Sequence, residues 1–157
     1  MWCPKILSNL GLMITEIQPD IYQVKIPLPG NPLKALNSYL IKEPRRSLII
    51  DKGFRHEKCL STMLGSLEKL NVNLDMTDFF ITHLHVDHVG LVGNLDSKTS
   101  RVYMSRVEAS IVNSIITEPE KYRHTVSEVL FSHGFPLDEL RKAIQDHPGY
   151  RYIPRLR

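Results

Sequence analysis

Three histidines and one aspartate lie within six residues of the sequence, in the stretch ITHLHVDHVG at 81–90. Imidazole nitrogens and carboxylate oxygens are donors that zinc accepts in proteins, and iron or manganese also accepts such a set. In an extended segment, residues i and i+2 point the same way, so His83 and His85 can reach one ion together. Asp87 and His88 follow as the backbone turns, so they can face a second ion.

A pair of such ions would favour hydrolysis. Two metal ions about 3.5–4 Å apart can share a water, lower its pKa and hold it as hydroxide for attack on a carbonyl or phosphoryl centre. The competing interpretation is a polar loop whose histidines cap helices or bind water. That interpretation suits a lone histidine better than four ligand-type side chains that follow a buried strand.

Short strands separated by turn residues must position this cluster. Apolar alternation and β-type runs predict strands over 14–17, 21–26, 38–42, 47–51, 75–82 and 101–105. The first four form two predicted hairpins. The loop between the hairpins, PLPGNPLKALN, has three prolines and a glycine, which remove backbone donors and fix dihedral angles. The predicted strand at 75–82 leads directly into the histidine cluster.

Helices are predicted on both sides of the cluster. The stretch 56–71 carries an apolar stripe at spacings of three and four, and 106–117 shows the same pattern. Two more helices are predicted between 118 and 147, separated near Gly134 and Pro136. Strands first, then alternating helix and strand, then helices, indicate an α/β or α+β layered domain.

Composition points to one domain and argues against nucleic acid. The 157 residues are 42% apolar, and the net charge of +3 comes from 20 basic and 17 acidic residues scattered along the chain. The basic tail RYIPRLR is interpreted as a solvated end. We expect a small-molecule substrate, with no nucleic-acid partner.

The N-terminal stretch matches neither a signal peptide nor a membrane span. Two cysteines, Cys3 and Cys59, cannot form a disulfide framework for a domain of this size. A cytoplasmic protein without a membrane partner is therefore expected. A cleaner strand pattern opens at Met13, so residues 1–12 are interpreted as a possible extension that takes no part in the fold.

Two motifs resemble one known family. THLHVDH resembles the first metal motif of the metallo-β-lactamase fold superfamily, which consists mostly of dinuclear zinc hydrolases and includes glyoxalase II, lactonases, β-lactamases and RNA-processing nucleases. NSYLIK followed by SLIIDKGF is similar to the strand pair that leads to the aspartate and glycine turn of this family, matched here by Asp51 and Gly53. The usual middle residue is threonine or serine, whereas this chain has Lys52. The resemblance covers most of the chain from about Met13.

The resemblance implies a role for each of these side chains. His83 and His85 would bind the first metal, and Asp87 and His88 would bind the second, with zinc as the expected ion. Asp87 would also help to position the attacking hydroxide. Asp51 would lie behind the metal loop and orient it through hydrogen bonds. The alternative for Asp51 is an ordinary aspartate at the glycine turn that ends a strand.

The same resemblance implies that more is needed than this chain provides. The family fold is an αββα sandwich in which each half contributes one sheet, and its second half supplies a third histidine, a bridging aspartate and a last histidine. The chain ends at residue 157, before those motifs are expected, so 13–157 is interpreted as the N-terminal half with a helical insertion. His147, in HPGY, is either a further ligand or a histidine that interacts favourably with the end of a helix.

An isolated half would expose the inner apolar face of its sheet. We therefore expect a truncated product of a longer protein, or self-association that covers this face. The helical stretch after Arg106 falls where many members of the family insert a cap. Tyr122, Phe131 and Phe135 would then line a substrate pocket, or they would simply pack helices together.

Three functions remain open at this stage. The leading hypothesis is a metal-dependent hydrolase acting on an ester, thioester, lactone or amide. A phosphodiesterase or nuclease of the same superfamily would need a basic face, which the sequence does not indicate. The third possibility is a catalytically incompetent, truncated metal-binding fragment or assembly module.

Overall fold

One mixed sheet organises the protein. The computed structural model describes residues 3–7 and 13–146. The strands are β1 (Lys5–Ile6), β2 (Ile14–Gln18), β3 (Ile21–Pro27), β4 (Ala35–Ile41), β5 (Ser47–Ile50), β6 (Thr77–Phe80) and β7 (Val102–Tyr103). They lie side by side in chain order, antiparallel from β1 to β5 and parallel from β5 to β7.

Both predicted hairpins are confirmed. In the first, β2 pairs with β3 across a tight turn in which Asp20 has a φ of 61°, a left-handed conformation that aspartate tolerates better than most residues. Strand β3 alternates as predicted, with Tyr22, Val24 and Ile26 buried and Lys25 exposed. The second hairpin pairs β4 with β5, and β4 begins at Ala35, within the stretch predicted as loop.

The switch to parallel pairing requires a crossover, which helix α1 (Glu57–Lys69) provides between β5 and β6. The Nδ1 atom of His56 caps this helix by accepting a hydrogen bond from the Lys58 N–H at 3.1 Å. Of the predicted apolar stripe, Met63, Leu67 and Leu70 are buried and Leu60 is half-buried, whereas Leu64 is 41% exposed. Cys59, which the stripe did not include, is buried as well. The α1 helix therefore covers one face of the sheet.

The main core lies between α1 and this face. Leu40, Ile49 and Phe79 occupy one row across β4, β5 and β6, and each is 1% exposed or less. Full burial of such a side chain contributes about 1.5–3 kcal/mol relative to leaving it in water. This packing fixes the ends of β5 and β6, from which the candidate site is built.

The opposite face carries a second apolar row that is less well covered. Tyr39, Ile50, Phe80 and Tyr103 are register neighbours across β4, β5, β6 and β7. Phe80 is 42% exposed and Tyr103 is 45% exposed, whereas Tyr39 and Ile50 are half-buried. We call these four side chains the second-face row.

Six helices lie within the described residues. Besides α1 they are α2 (Val86–Val89), α3 (Val92–Leu95), α4 (Arg106–Thr117), α5 (Pro119–Ser132) and α6 (Leu137–Asp146). The break between α5 and α6 contains Gly134, with a φ of 88°, and Pro136, which confirms the predicted separation. The single-turn helices α2 and α3 are not predicted, because four residues are too few to show a helical period.

The predicted N-terminal extension is described only at 3–7. Within it, β1 pairs with β2, so Lys5 and Ile6 take part in the sheet, contrary to the expectation for these two residues. His147 and the RYIPRLR tail lie outside the described residues. None of the helices in 13–146 is long and apolar enough to cross a membrane.

Candidate metal centre

The histidine cluster lies where β6 ends and α2 begins. The structure brings its three rings together: the centroids of His83 and His88 are 3.9 Å apart, and those of His83 and His85 are 4.5 Å apart. Asp87 lies on α2 beside His88. All four residues predicted from the sequence to bind metal are therefore in one place, at the edge of the sheet.

Asp51 lies behind this loop and holds it at two points. Its carboxylate accepts hydrogen bonds from the Thr82 N–H at 3.0 Å and from the Thr82 hydroxyl at 2.7 Å. Its Oδ2 atom also lies 2.8 Å from His88 Nδ1. These contacts are the ones expected of a residue that orients the metal loop, and Asp51 at the same time precedes the glycine turn, since Gly53 has a φ of 101°.

The carboxylate of Asp51 determines the tautomer of His88. A ring nitrogen that faces a carboxylate carries the proton, so Nδ1 of His88 is the donor and Nε2 keeps its lone pair. That Nε2 atom lies 3.6 Å from Asp87 Oδ2. Two ligands of one tetrahedral zinc, each about 2.0–2.1 Å from the ion, are about 3.3 Å apart. The Asp87 and His88 donors therefore fit a shared ion in both kind and spacing.

The electrostatics of the site favour the ligand forms of its side chains. Burial raises the pKa of Asp51, but hydrogen bonds from His88 and Thr82 outweigh this effect, and the pKa is lowered. Burial, followed by the neighbouring His88 and His85, lowers the pKa of His83. A neutral imidazole and an ionised carboxylate are the forms that bind and orient metals.

The backbone directly after β5 is hydrogen-bonded to the metal loop. The Lys52 N–H donates to the His88 carbonyl at 3.2 Å, and the Gly53 N–H donates to the Asp87 carbonyl at 2.7 Å. The approach is so close that a Cβ on Gly90 would lie 2.8 Å from the Gly53 carbonyl oxygen and 2.7 Å from the Arg55 nitrogen. Gly90 is thus required by the 53–55 backbone that passes over it and by the preceding turn, whose Val86 carbonyl oxygen would lie 2.5 Å from such a Cβ.

The described residues provide too few donors for a closed metal site. Within 3–7 and 13–146, no group of three or more histidine, cysteine, aspartate or glutamate side chains is arranged to hold one metal ion. The cluster provides two pairs of donors, His83 with His85 and Asp87 with His88. Their chemistry fits metal, and the remaining donors of a closed site would have to come from outside the described residues.

His124 and His133 find partners in α5. His124 Nε2 lies 3.3 Å from Glu128 Oε1, and His133 Nδ1 lies 2.7 Å from the Val129 carbonyl oxygen. Phe131 and Phe135, expected to line a pocket or to pack helices, are 54% and 51% exposed. Tyr122, the third residue of this prediction, is half-buried. A part for these three side chains in a substrate pocket stays a prediction.

Sequence reasoning missed two residues of this region. Thr82, for which the sequence predicted no contact with a metal ligand, places its hydroxyl 3.0 Å from His83 Nδ1 in addition to its contacts with Asp51. Lys52 is fully buried, and its Nζ has no hydrogen-bond partner among the described residues. The Nζ atom lies 4.5 Å from the centroid of the Phe79 ring, and burial lowers the pKa of Lys52 to about 7. The only sequence signal for Lys52 is its position in SLIIDKGF, where the family has threonine or serine.

Known structures with a similar fold belong to one group of proteins. A metallo-β-lactamase family protein from Thermus thermophilus aligns over 81% of this chain and 43% of its own, with a TM-score of 0.67 and 24% identity. A β-lactamase domain protein from Burkholderia ambifaria aligns over 92% of this chain and 40% of its own, with a TM-score of 0.62 and 18% identity. A metallo-β-lactamase with a HARLDQ motif from Cronobacter sakazakii aligns over 62% and 36%, with a TM-score of 0.51 and 21% identity.

No protein-family model matches the sequence, and no curated protein does. The chain spans less than half the length of these three structures. The mixed sheet with helices and the likeness to these structures show that the protein adopts the metallo-β-lactamase fold over the part that aligns.

Proposed function

We propose that this chain supplies the first half of a dinuclear metal site in a metal-dependent hydrolase. The observation that carries the proposal is the pair formed by Asp87 Oδ2 and His88 Nε2, 3.6 Å apart, with the other nitrogen of His88 turned to Asp51. Zinc is the ion we favour, and iron or manganese suits the same donors.

The roles of the residues follow from their chemistry. His83 and His85 would hold one ion, and Asp87 and His88 the other, while Asp51 fixes the His88 ring and the Thr82 peptide. Bound metal would supply a water of lowered pKa as the nucleophile. As the family resemblance implies, Asp87 would also help to position that nucleophile.

The substrate we propose is a small molecule with an ester, thioester, lactone or amide bond. The weak net charge of +3 supports this class over a nucleic acid, because a nuclease needs a basic face to bind phosphates. A cytoplasmic location remains a prediction. Assay of the full-length protein against one substrate of each bond type and against a phosphodiester would separate the two classes.

Metal stoichiometry tests the proposed site directly. In the full-length protein loaded with zinc, we expect two ions per chain, and about one after His83→Ala or after His88→Ala. His133→Ala, which removes a histidine whose partner is in α5, is the matched control and should retain two. Two ions bound by all three variants would contradict the assignment of His83 and His88.

A second candidate is a metal-binding fragment or assembly module without activity. It is favoured by one observation, namely that the described residues do not assemble three donors around a single point. For the 157-residue chain alone, this candidate predicts one weakly bound zinc or none. Two tightly bound ions in that chain would exclude it.

A further inference from the structure

Glu108, in the first turn of α4, contacts the centre of the metal motif. Its Oε1 atom accepts a hydrogen bond from the Leu84 N–H at 3.3 Å. Leu84 is the residue between His83 and His85. The peptide that separates the first two proposed ligands is therefore held by a side chain 24 residues further along the chain.

The segment that leads into α4 packs against the same loop. Met104, just before this helix, contacts a small apolar cluster formed by Ile81, Val89 and Val92. Ile81 precedes the metal motif, and Val89 and Val92 follow it. Since packing and a hydrogen bond both join the start of α4 to the loop, the position of Glu108 relative to Leu84 is held at two points.

A carboxylate in the first turn of a helix also has an ordinary explanation. Negative charge near a helix N-terminus is favourable whether or not the side chain reaches another element. Glu57 in α1 occupies such a first-turn position and is exposed. Glu108 differs because it is half-buried and its oxygen accepts a backbone N–H from the metal loop at 3.3 Å, a hydrogen bond that joins α4 to that loop.

The direction of the Leu84 peptide determines where its neighbours point. The backbone bends at Thr82, His83 and Leu84 rather than continuing the extended strand. The orientation of the Leu84 peptide within this bend therefore sets the directions in which the two neighbouring histidine side chains leave the chain. An acceptor fixed on α4 opposes rotation of this peptide. Ligands held in place before the metal arrives lose less freedom on binding.

We propose that Glu108 is a positioning residue for the first half-site, which orients His83 and His85 by holding the Leu84 peptide from α4. The inference rests on the proposed metal function. It assigns to α4 a part in building the site, in addition to any part in shaping a substrate pocket.

Three substitutions separate the hydrogen bond from charge and from the helix dipole. Glu108→Gln keeps an oxygen that can accept the Leu84 N–H but removes the charge. Glu108→Asp keeps the charge and the first-turn carboxylate but is one methylene too short to reach. Glu108→Ala removes all three features, and Glu57→Ala in α1 is the control for the loss of a first-turn carboxylate.

The full-length protein would be loaded with cobalt(II), whose visible spectrum reports ligand geometry, and its affinity for the ion would be measured by competition. We expect Glu108→Asp and Glu108→Ala to weaken binding at one site about tenfold or more and to change the spectrum. Glu108→Gln should stay within about threefold of the wild type, because hydrogen bonds held by a neutral acceptor are weaker but keep their direction. Glu57→Ala should leave both readouts unchanged.

Unaltered affinity and spectrum in Glu108→Asp and Glu108→Ala would overturn the inference while leaving the proposed metal site in place. Equal loss in Glu108→Gln and Glu108→Ala would overturn it as well, since the charge rather than the hydrogen bond would then be responsible. Absence of cobalt binding in the wild type would overturn the proposed function and the inference together. Folding of each variant would be checked by its unfolding midpoint, and Glu108→Asp still tests the inference if Glu108→Ala does not fold.

Discussion

Asp51, directly after β5, combines an unusual backbone conformation with side-chain contacts to the metal loop. Its φ of 53° is left-handed, a conformation that costs most non-glycine residues about 1 kcal/mol or more and that aspartate tolerates comparatively well. In that conformation its backbone N–H reaches the Phe80 carbonyl, and its carboxylate reaches both Thr82 and His88. The strained turn therefore places one carboxylate against two parts of the metal loop.

Replacement of Asp51 by asparagine tests this arrangement. Asp51→Asn can keep the left-handed turn, but it loses the anionic acceptor that fixes the His88 ring, so we expect metal affinity to fall about 10–100-fold. Asp20→Asn is the control, because Asp20 also has a positive φ, of 61°, but lies in the β2–β3 turn. A competition titration of the full-length protein with a chromophoric chelator would measure the difference. Equal affinities in the two variants would remove Asp51 from the site.

Lys52 is a buried charged residue that should lower the stability of the folded protein. Its ammonium is fully buried without a hydrogen-bond partner among the described residues, and attraction to Asp51 and Asp96 only partly offsets the cost of burying the charge. Lys52→Met should therefore keep the packing on Phe79 and stabilise the protein by about 1–3 kcal/mol. Lys42→Met is the control, since Lys42 Nζ donates to the Leu70 carbonyl at 2.8 Å and its removal should cost about 1 kcal/mol. Urea unfolding measures both variants, and destabilisation by Lys52→Met would show that the attraction to the two carboxylates outweighs the cost of burial.

The pH dependence of unfolding provides a separate test of the buried Lys52. Burial lowers its pKa to about 7 in the folded protein, whereas the unfolded value is about 10.4. Between these values the unfolded chain binds the proton and the folded chain does not, so stability should rise with pH from about 7 to about 10. Below pH 7 both states are charged and the full cost of burial is present. The difference between wild type and Lys52→Met should shrink over this range, and a constant difference would contradict the shift.

At the scale of the elements, the sequence predicted the strands and the longer helices but not the contacts between distant ones. Alternation in β3 and the stripe on α1 are local patterns, and the HxHxDH spacing is equally local. The contact of Glu108 with Leu84 joins residues 24 positions apart, and no local period reveals it. Lys52 was missed for a related reason, because lysine is almost never fully buried and only the packed structure shows this exception.

The packing of the β5–α1 loop onto α2 is an element-scale feature that Gly90→Ala tests. Gly90 has an ordinary helical φ of −57°, so the cost of a side chain there is steric, with a Cβ only 2.7 Å from the Arg55 nitrogen and 2.8 Å from the Gly53 carbonyl oxygen of the loop. We expect a loss of about 2 kcal/mol or more in the free energy of unfolding, measured with urea. Gly30→Ala, at a φ of 72° with nothing within 4 Å of the added Cβ, should cost about 1 kcal/mol from backbone strain alone. A smaller loss at Gly90 than at Gly30 would mean that the loop moves away freely.

The Arg46–Asp78 pair joins elements on the other side of the sheet. Arg46 Nη2 lies 2.7 Å from Asp78 Oδ1 and also donates to the Thr99 carbonyl, while the Arg101 N–H donates to the same aspartate. The hydrogen bond from Arg46 is the main cause that lowers the pKa of Asp78. Stability from this pair is therefore present above the ordinary aspartate pKa of about 3.9 and is lost as the pH falls below it. Asp78→Asn should make the free energy of unfolding fall less steeply at low pH than it does in the wild type. An unchanged pH dependence would exclude the Arg46–Asp78 pair as the cause of that fall.

At the scale of the whole molecule, the exposure of the second-face row has to be considered together with the share of the known structures that this chain spans. The chain spans 43% of the Thermus protein, and one side of its sheet is covered by α1 while Phe80 and Tyr103 on the other side are more than 40% exposed. Exposed aromatic side chains in a row across a sheet are unusual on a soluble monomer. We propose that the second half of a longer protein covers this row, and that copies of the 157-residue chain alone cover it by association.

Association of the 157-residue chain tests that proposal. Light scattering should detect species larger than a monomer, because a monomer would leave the second-face row in water. The fraction that stays monomeric at low concentration should bind an apolar dye. Phe80→Glu, which places a charge in the middle of this row, should reduce both signals. Phe131→Glu is the control, since Phe131 is 54% exposed but lies on α5. The remaining part of the full-length protein, added as a separate chain, should abolish dye binding to the wild type. It should not form a complex with Phe80→Glu, because the complex would bury the new charge between two sheets. A monodisperse wild-type monomer that binds no dye would show that this row needs no cover.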